Sequence, residues 1–356
     1  MLAARRDHPG GTLSWCLTSK GTGQQTILVS VLEREKSSSP GRSLPSAQEL
    51  AEYRLSAQHP LTRQWVADDV RLELLAAECA DDLLLATDQQ IAASRAERFA
   101  PGQPAQLLMN RWLDIGDGLS AMLSMRYEGL DVTLPFVDAS LTSRPVETDD
   151  LVRLRDAAME TYGSLAPRYL RLWDPRPDGA ISGTVADRRN LAAPLPELRA
   201  GPNPPPQLRL QAAQMATRYE ELVAAYAAVD GQHAHHPREA KVQPREDMEE
   251  SAAAGTLFDV LLEGEWAGYV GAVPEGDTLG MPAWVVQELA LAPNARGQGL
   301  GRYLSGMLAR ELSDERPLLI GTIHADNRGA HSAALAAGRH DVGGWVQIPL
   351  PAASVS

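Results

Sequence analysis

The chain has 356 residues, 44% of them apolar and 22% charged, a balance that excludes a disordered or membrane-embedded protein and leaves room for two folded units. Lys and Arg number 33 against 46 Asp and Glu, so the net charge of -13 disfavours nucleic acid or an anionic membrane as partner and suits an amine. Cys16 and Cys79 stand far apart without metal-ligand spacing, and no stretch reaches the roughly 18 apolar residues of a spanning helix, so a cytoplasmic protein with no metal, disulfide or membrane segment is expected.

Residues 1–47 mix Gly, Ser, Thr and Pro with basic residues and hold no sustained period, which reads as a loosely ordered tail with at most a strand over 26–32. Over 46–99 apolar residues recur at helical spacing, as in Leu72, Leu75, Ala76 and Cys79, and predict two or three helices. Strands follow over 119–127 and 132–141, joined by a turn at Glu128, Gly129, Leu130 and Asp131. Thr148 is placed to cap the next helix, whose stripe is Leu151, Leu154, Ala158 and Tyr162, and a strand over 168–173 closes a helical plus β unit spanning 48–193. Pro194, Pro196, Pro202, Pro204, Pro205 and Pro206 then mark a linker over 194–206, because proline lacks the N–H that a helix interior or central strand requires.

From 207 to 350 the pattern is that of one mixed α/β unit. A strand over 207–213 leads to helices over 216–229 and 244–254, then strands over 257–263, 266–273 and 283–292. A helix over 300–312, a strand over 318–324, a helix over 328–337 and a strand over 344–350 complete it.

The chemistry concentrates where the strand over 283–292 passes through Pro293 and Asn294 into Arg296, Gly297, Gln298, Gly299, Leu300, Gly301 and Arg302. Such a loop offers unpaired backbone N–H groups at a helix start, where the dipole favours negative charge, and Arg296 can add a cation; a pyrophosphate is the fitting ligand. No Lys-Ser or Lys-Thr follows the glycines, against a P-loop, and the spacing is not Gly-x-Gly-x-x-Gly, against a nicotinamide site.

Arg296 to Gly301 resembles the Arg/Gln-x-x-Gly-x-Gly/Ala signature of the GNAT N-acetyltransferase superfamily. The hairpin around Gly264 and Asn327 with Ala330 at the last helix extend the similarity over 207–350. The resemblance implies the GNAT fold, a mixed and mostly antiparallel sheet flanked by helices, and acetyl-CoA as co-substrate. It also implies direct transfer to a primary amine of a small molecule or peptide in a ternary complex, by a monomer or homodimer. Main-chain groups of Leu289 and Leu291 would hold the pantetheine arm, with the Leu291 N–H facing the thioester oxygen, and Asn327 would line the cofactor wall. Glu288 is the candidate base, or equally a solvent-facing strand carboxylate, since alternation alone does not say which face it occupies.

Two positions depart from the pattern: Ala334 stands where many relatives carry the Tyr that protonates the leaving thiolate, and Arg339 where a Phe is usual. His324, His331 and Ser332 lie nearby in sequence as polar helix-end or surface residues. His233, His235 and His236 with Asp230 and Glu239 read as an acceptor-side loop rather than a metal site. The element order of 48–193 follows a GNAT domain without the glycine signature, which implies a degenerate second copy, hence a tandem protein. Its degeneracy and Ala334 leave one alternative, a non-catalytic acyl-CoA sensor or scaffold.

Overall fold

The computed structural model describes residues 43–231 and 240–351. Nearly all of the expected tail, including Cys16 and the strand over 26–32, lies outside them, as do His233, His235, His236 and Glu239. The first half begins with helices α1 (Ala47–Ser56), α2 (Asp68–Thr87) and α3 (Gln89–Phe99). Strands β1 (Arg111–Gly116), β2 (Leu119–Tyr127) and β3 (Pro135–Thr142) follow, then α4 (Leu151–Tyr162), β4 (Tyr169–Asp174) and β5 (Val185–Pro194). The second half runs α5 (Leu195–Arg199), β6 (Leu208–Ala212), α6 (Tyr219–Asp230), α7 (Arg245–Ala253), β7 (Leu257–Leu262) and β8 (Glu265–Val273). It ends with β9 (Ala283–Leu291), α8 (Gly301–Glu311), β10 (Leu318–His324), α9 (Arg328–Ala336) and β11 (His340–Pro349).

All of these strands share one 11-stranded sheet, ordered β1-β2-β3-β4-β11-β5-β10-β9-β8-β7-β6. The two halves exchange strands: β5, from the first, lies between β10 and β11, while β11, from the second, pairs with β4. Most neighbours are antiparallel. The parallel pairs are β3 with β4 and β9 with β10, each connected through a helix that crosses a sheet face, as parallel strands require. Both pairs are short, touching over two register pairs in the first half (Val137 with Leu170, Asp138 with Arg171) and over three in the second.

Helices cover the sheet on both faces. In the first half α1 and α2 bring Leu50 and Cys79 onto Met122 and Leu141, while α4 brings Leu154, Ala158 and Tyr162 onto Leu123, Val137 and Leu170. In the second, Leu304, Met307 and Leu308 of α8 pack with Val270, Trp284 and Leu319, and Leu222 of α6 and Met248 of α7 pack with Tyr269 and Ala290 on the opposite face. A third cluster straddles the halves, with Val66, Ala192, Ala283, Ile320 and Val342 buried together.

Three local expectations need correction. Residues 194–206 are not a free linker throughout: Pro194 ends a central strand and α5 follows, with Pro196 in its first turn where a missing N–H costs nothing. Thr148 does not cap α4: it lies in a short 3-10 turn, Thr148–Asp150, which Glu147 caps and which leads into α4, the Asp150 carboxylate accepting the Glu147 N–H at 2.9 Å. Strands β1 and β5 have no counterpart in the sequence reading, and β5 carries Asp187, Arg189 and Asn190 buried in mid-sheet. Arg189 is accommodated by Asp341 of β11, Nη2 to Oδ1 at 2.7 Å, a charge-assisted pair that offsets its desolvation.

Because β5 separates β10 from β11, neither half keeps a complete sheet alone. Residues 43–206 and 207–351 produced separately are expected to be insoluble or to melt without cooperativity, whereas the intact chain cut once within 201–206 should elute as one complex in size-exclusion chromatography. Two halves that each melt cooperatively when made alone would contradict this interlock.

Candidate active site

The site begins where β9 leaves β10. The strands pair from Ala283 with Leu318 to Val285 with Ile320 and then part. On the other side β9 stays paired with β8, but the register shifts between Gly271 opposite Glu288 and Ala272 opposite Val286, so Gln287 is an extra residue that bends the strand. The Gln287 amide fastens this bulge to α7 through the Asp247 carbonyl at 3.0 Å. The opening is a cleft of about 1070 Å³ between the outer part of β9, the start of α8, the end of β10 and the start of α9.

The backbone of β9 faces this cleft with a fixed alternation. The Ala292 N–H bonds to the Ala267 carbonyl at 2.8 Å, on the β8 side, so the main-chain groups of Leu291 and Leu289 turn toward the opening. Leu289 donates its N–H to the Glu288 carboxylate at 3.1 Å, and the Leu291 carbonyl accepts from Arg296 Nε at 2.6 Å.

The glycine loop follows at the rim. Gly297 and Gly299 have φ of +72° and +71°, and a Cβ on either would meet no atom within 4 Å. Their side-chain absence is therefore a backbone requirement, since L-residues pay about 1–2 kcal/mol for the left-handed region. Gly301 serves packing, for a Cβ there would lie 3.1 Å from Ala333 of α9. Together these turns expose the N-terminal end of α8 to the cleft, an arrangement suited to an anion.

Glu288 lies on the face covered by α6, is 5% exposed and lines the cleft, which answers the question its strand position left open. Its Oε1 accepts the Tyr226 hydroxyl at 2.8 Å. Burial pushes the Glu288 carboxyl up to about 7, against the opposing pull of the Tyr226 and Leu289 hydrogen bonds and the Arg296 charge. Burial first, then the Glu288 charge, holds the Tyr226 phenol well above its ordinary value, so Tyr226 is the donor of the pair.

Leu289, Leu291, Arg296, Gly297, Gly299, Leu300, Gly301 and Asn327 all line the cleft. Arg296 reaches it from beneath, folded onto the end of β9, rather than from the outer rim. The Asn327 side chain accepts the Ala330 N–H at 3.1 Å and so caps α9 while lining the cleft. Gln298 and Arg302 turn away: the Gln298 amide bonds to the Asn294 carbonyl at 2.8 Å, and Arg302 donates to the Tyr303 hydroxyl at 2.6 Å while lying over its ring. Ala334 lines the cleft with no hydroxyl to offer. His324 lines it too, its Nδ1 accepting the Asp326 N–H at 3.2 Å, whereas His331 sits 3.6 Å from Asp341 outside the lining.

The profile of the acetyltransferase (GNAT) family matches residues 218–338, a span holding the bulged strand, the glycine loop and both helices that follow. Residues 218–338 are thus the part of the chain similar to the GNAT family. No curated protein matches the chain in sequence. Among solved structures, a GNAT-family acetyltransferase from Colwellia psychrerythraea is similar at 11% identity, over 74% of this chain and 95% of its own, with a TM-score of 0.43. A GCN5-related N-acetyltransferase from Kribbella flavida is similar at 14% identity over 76% and 97%, with a TM-score of 0.38. A tandem GNAT protein from the clavulanic acid biosynthesis pathway is similar at 12% identity over 74% and 95%, with a TM-score of 0.37.

Sequence reasoning missed Tyr226. Helix α6 carries Tyr219, Leu222 and Tyr226 at spacings that share one face, which was a signal for burial but not for a partner 62 residues away. The pair makes a titration prediction. With its folded value near 7 and its unfolded value near 4.5, Glu288 holds its proton more tightly in the native state. Its contribution to stability is therefore full at acid pH and is lost as the pH rises through about 7. Glu288→Gln should gain melting temperature relative to the unsubstituted protein on going from about pH 5 to about pH 8. Tyr226→Phe should move the Glu288 carboxyl titration, followed by infrared difference spectroscopy, to higher pH. A titration unmoved or lowered in Tyr226→Phe would break the assignment.

Proposed function

We propose that the chain transfers an acetyl group from acetyl-CoA to a primary amine of a small molecule or peptide, by direct attack in a ternary complex. The observation that carries this reading is Glu288, a buried carboxylate whose proton affinity is raised to about 7, beside the opened edge of β9 and within the same cleft as the glycine loop. A base poised near neutrality balances availability against driving force, so it can accept the ammonium proton and leave the amine lone pair free.

In this reading acetyl-CoA would lie along the cleft from the start of α8 to the open edge of β9. Its diphosphate would rest on the N–H groups of residues 297–301 at the start of α8, and its pantetheine arm would extend β9 through Leu289 and Leu291. The thioester oxygen then meets the Leu291 N–H, which stabilises negative charge as the amine nitrogen bonds to the carbonyl carbon. As the tetrahedral species collapses, the carbon–sulfur bond breaks and the thiolate departs. Thiols titrate near 8.5 in model form, so water, or the proton held by Glu288, suffices as the acid where Ala334 supplies none.

The first half is read as a degenerate copy of the same fold. The β3-α4-β4 unit repeats β9-α8-β10, including the short parallel contact, which supports that reading. At the start of α4, where an anion would bind, stands the Asp150 carboxylate, held by Arg144 at 2.8 and 2.9 Å and by Arg153 at 2.7 Å. These bonds, Arg144's first, draw its titration down to about 2, so a protein carboxylate already fills the place of a phosphate.

Calorimetry with CoA and turnover assays with an amine panel, following free thiol release, test the proposal together. One CoA per chain is expected, with turnover. Glu288→Gln should reduce kcat by about 10²- to 10⁴-fold and leave CoA affinity within about twofold. Two CoA per chain would remove the argument from Asp150. Tight CoA binding without turnover on any amine would instead favour the sensor reading that Ala334 raises, and absence of CoA binding would end both.

A further inference from the structure

The floor of the cleft holds a cation that the reaction as described does not use. Arg339 follows α9, is 2% exposed and lines the cleft where β9 and β10 part. Its Nε donates to the Leu191 carbonyl of β5 at 3.1 Å and its Nη2 to the Gly321 carbonyl of β10 at 3.2 Å. Among the described residues none gives it a carboxylate partner, and burial alone draws its titration down to about 10, so it keeps its charge at neutral pH. Glu288, across the same cleft, is engaged by Tyr226 and Leu289 instead.

Room for this guanidinium is made by Gly321. A Cβ there would stand 2.8 Å from Arg339 Nη2 and 2.9 Å from Cβ of Val286, both too close for any side chain without displacement. The backbone at Gly321 thus leaves room for an arginine held on the paired strands β5 and β10 beside the cleft. A guanidinium carries five N–H donors in a planar fork, and two carbonyls occupy only part of it. A buried charge with no counter-charge is costly unless an anion completes it. The diphosphate of CoA has its own place at the α8 start on the rim, so the anion met by Arg339 belongs to the reacting ends of the substrates.

We propose that Arg339 recognises a carboxylate carried by one of the two substrates, either the distal carboxylate of a dicarboxylic acyl-CoA or the carboxylate of an amino-acid-like acceptor. This rests on the acyltransferase reading and adds to it the chemical class of the substrate. In the simplest outcome the fork pairs with the carboxylate side by side, orienting the chain that bears it toward the open edge of β9. A neutral acyl chain or acceptor of the same length would leave the guanidinium uncompensated and bind more weakly.

Equilibrium binding to the full chain tests this without requiring turnover. In one arm succinyl-CoA is compared with butyryl-CoA, which matches its chain length without the charge; in the other, CoA-loaded protein is titrated with amino acids and their carboxamides. Preference for the carboxylate by about ten- to hundredfold is expected in one arm, and that arm identifies the source. Arg339→Met should bring the ratio to about one while leaving CoA affinity unchanged, and Arg339→Lys should keep part of it. If Arg339→Met does not fold, as judged by its melt, Arg339→Gln takes its place. Ratios near one in both arms for the unsubstituted protein, or a preference that survives Arg339→Met, overturn the inference while CoA binding leaves the acyltransferase reading standing. Failure of every CoA species to bind removes that reading and this inference with it.

Discussion

Strands β9 and β10 support each other over three register pairs and then separate, leaving backbone groups that a continued ladder would have satisfied. The cleft, the amides that face it and the position of Glu288 all follow from that parting. Its cause is local: the extra residue Gln287 bends β9 against β8, and the Gln287 amide is tied to the carbonyl of Asp247 on α7. Side chains take up part of the opened edge, Glu288 the Leu289 N–H and Arg296 the Leu291 carbonyl, and a ligand extending the strand would meet the groups that remain. The same widening gives the Glu288 carboxyl a nearly dry environment, with Tyr226, one N–H and the Arg296 charge to stabilise its anion.

Much of the second half was legible because its signals are local. Gly297 and Gly299 mark left-handed backbone, and the α8 stripe of Leu304, Met307, Leu308 and Leu312 faces one core, so loop and helix could be read without knowing the rest. What escaped was either buried on both faces or polar in the interior. The strand β5 hides behind Asp187, Arg188, Arg189 and Asn190, whose partners, such as Asp341, lie far along the chain. Tyr226 and Arg339 were legible as residues but not as members of the site, because pairing across a fold depends on long-range contacts that no window of sequence contains. Thr148 misled because a good capping residue was read as the start of α4, whereas it sits inside the short turn that Glu147 opens ahead of that helix.

The exchange of β5 and β11 makes the halves structurally dependent on each other. Since β5 is hydrogen-bonded to β10 over seven register pairs, from Pro194 with Leu318 to Arg188 with His324, a strand of the first half braces the strand that forms one wall of the cleft. Arg339 is held to that same strand through the Leu191 carbonyl, and Thr322 of β10 donates to Asn190 at 2.9 Å. The first half thus supports the cleft through the backbone and side chains of β5. The α5 turn adds to the brace, for Gly306 of α8 approaches the Leu198 carbonyl so closely that a Cβ there would lie 2.9 Å from it.

Amide hydrogen exchange with and without CoA tests the central claim, that the opened edge of β9 and the adjoining glycine loop form the cofactor cradle. Slowed exchange confined to 289–291 and 296–302, with the corresponding first-half segment 143–150 unchanged, is the predicted pattern. Bound CoA that leaves 289–302 unprotected, or that protects 143–150 instead, would contradict the account.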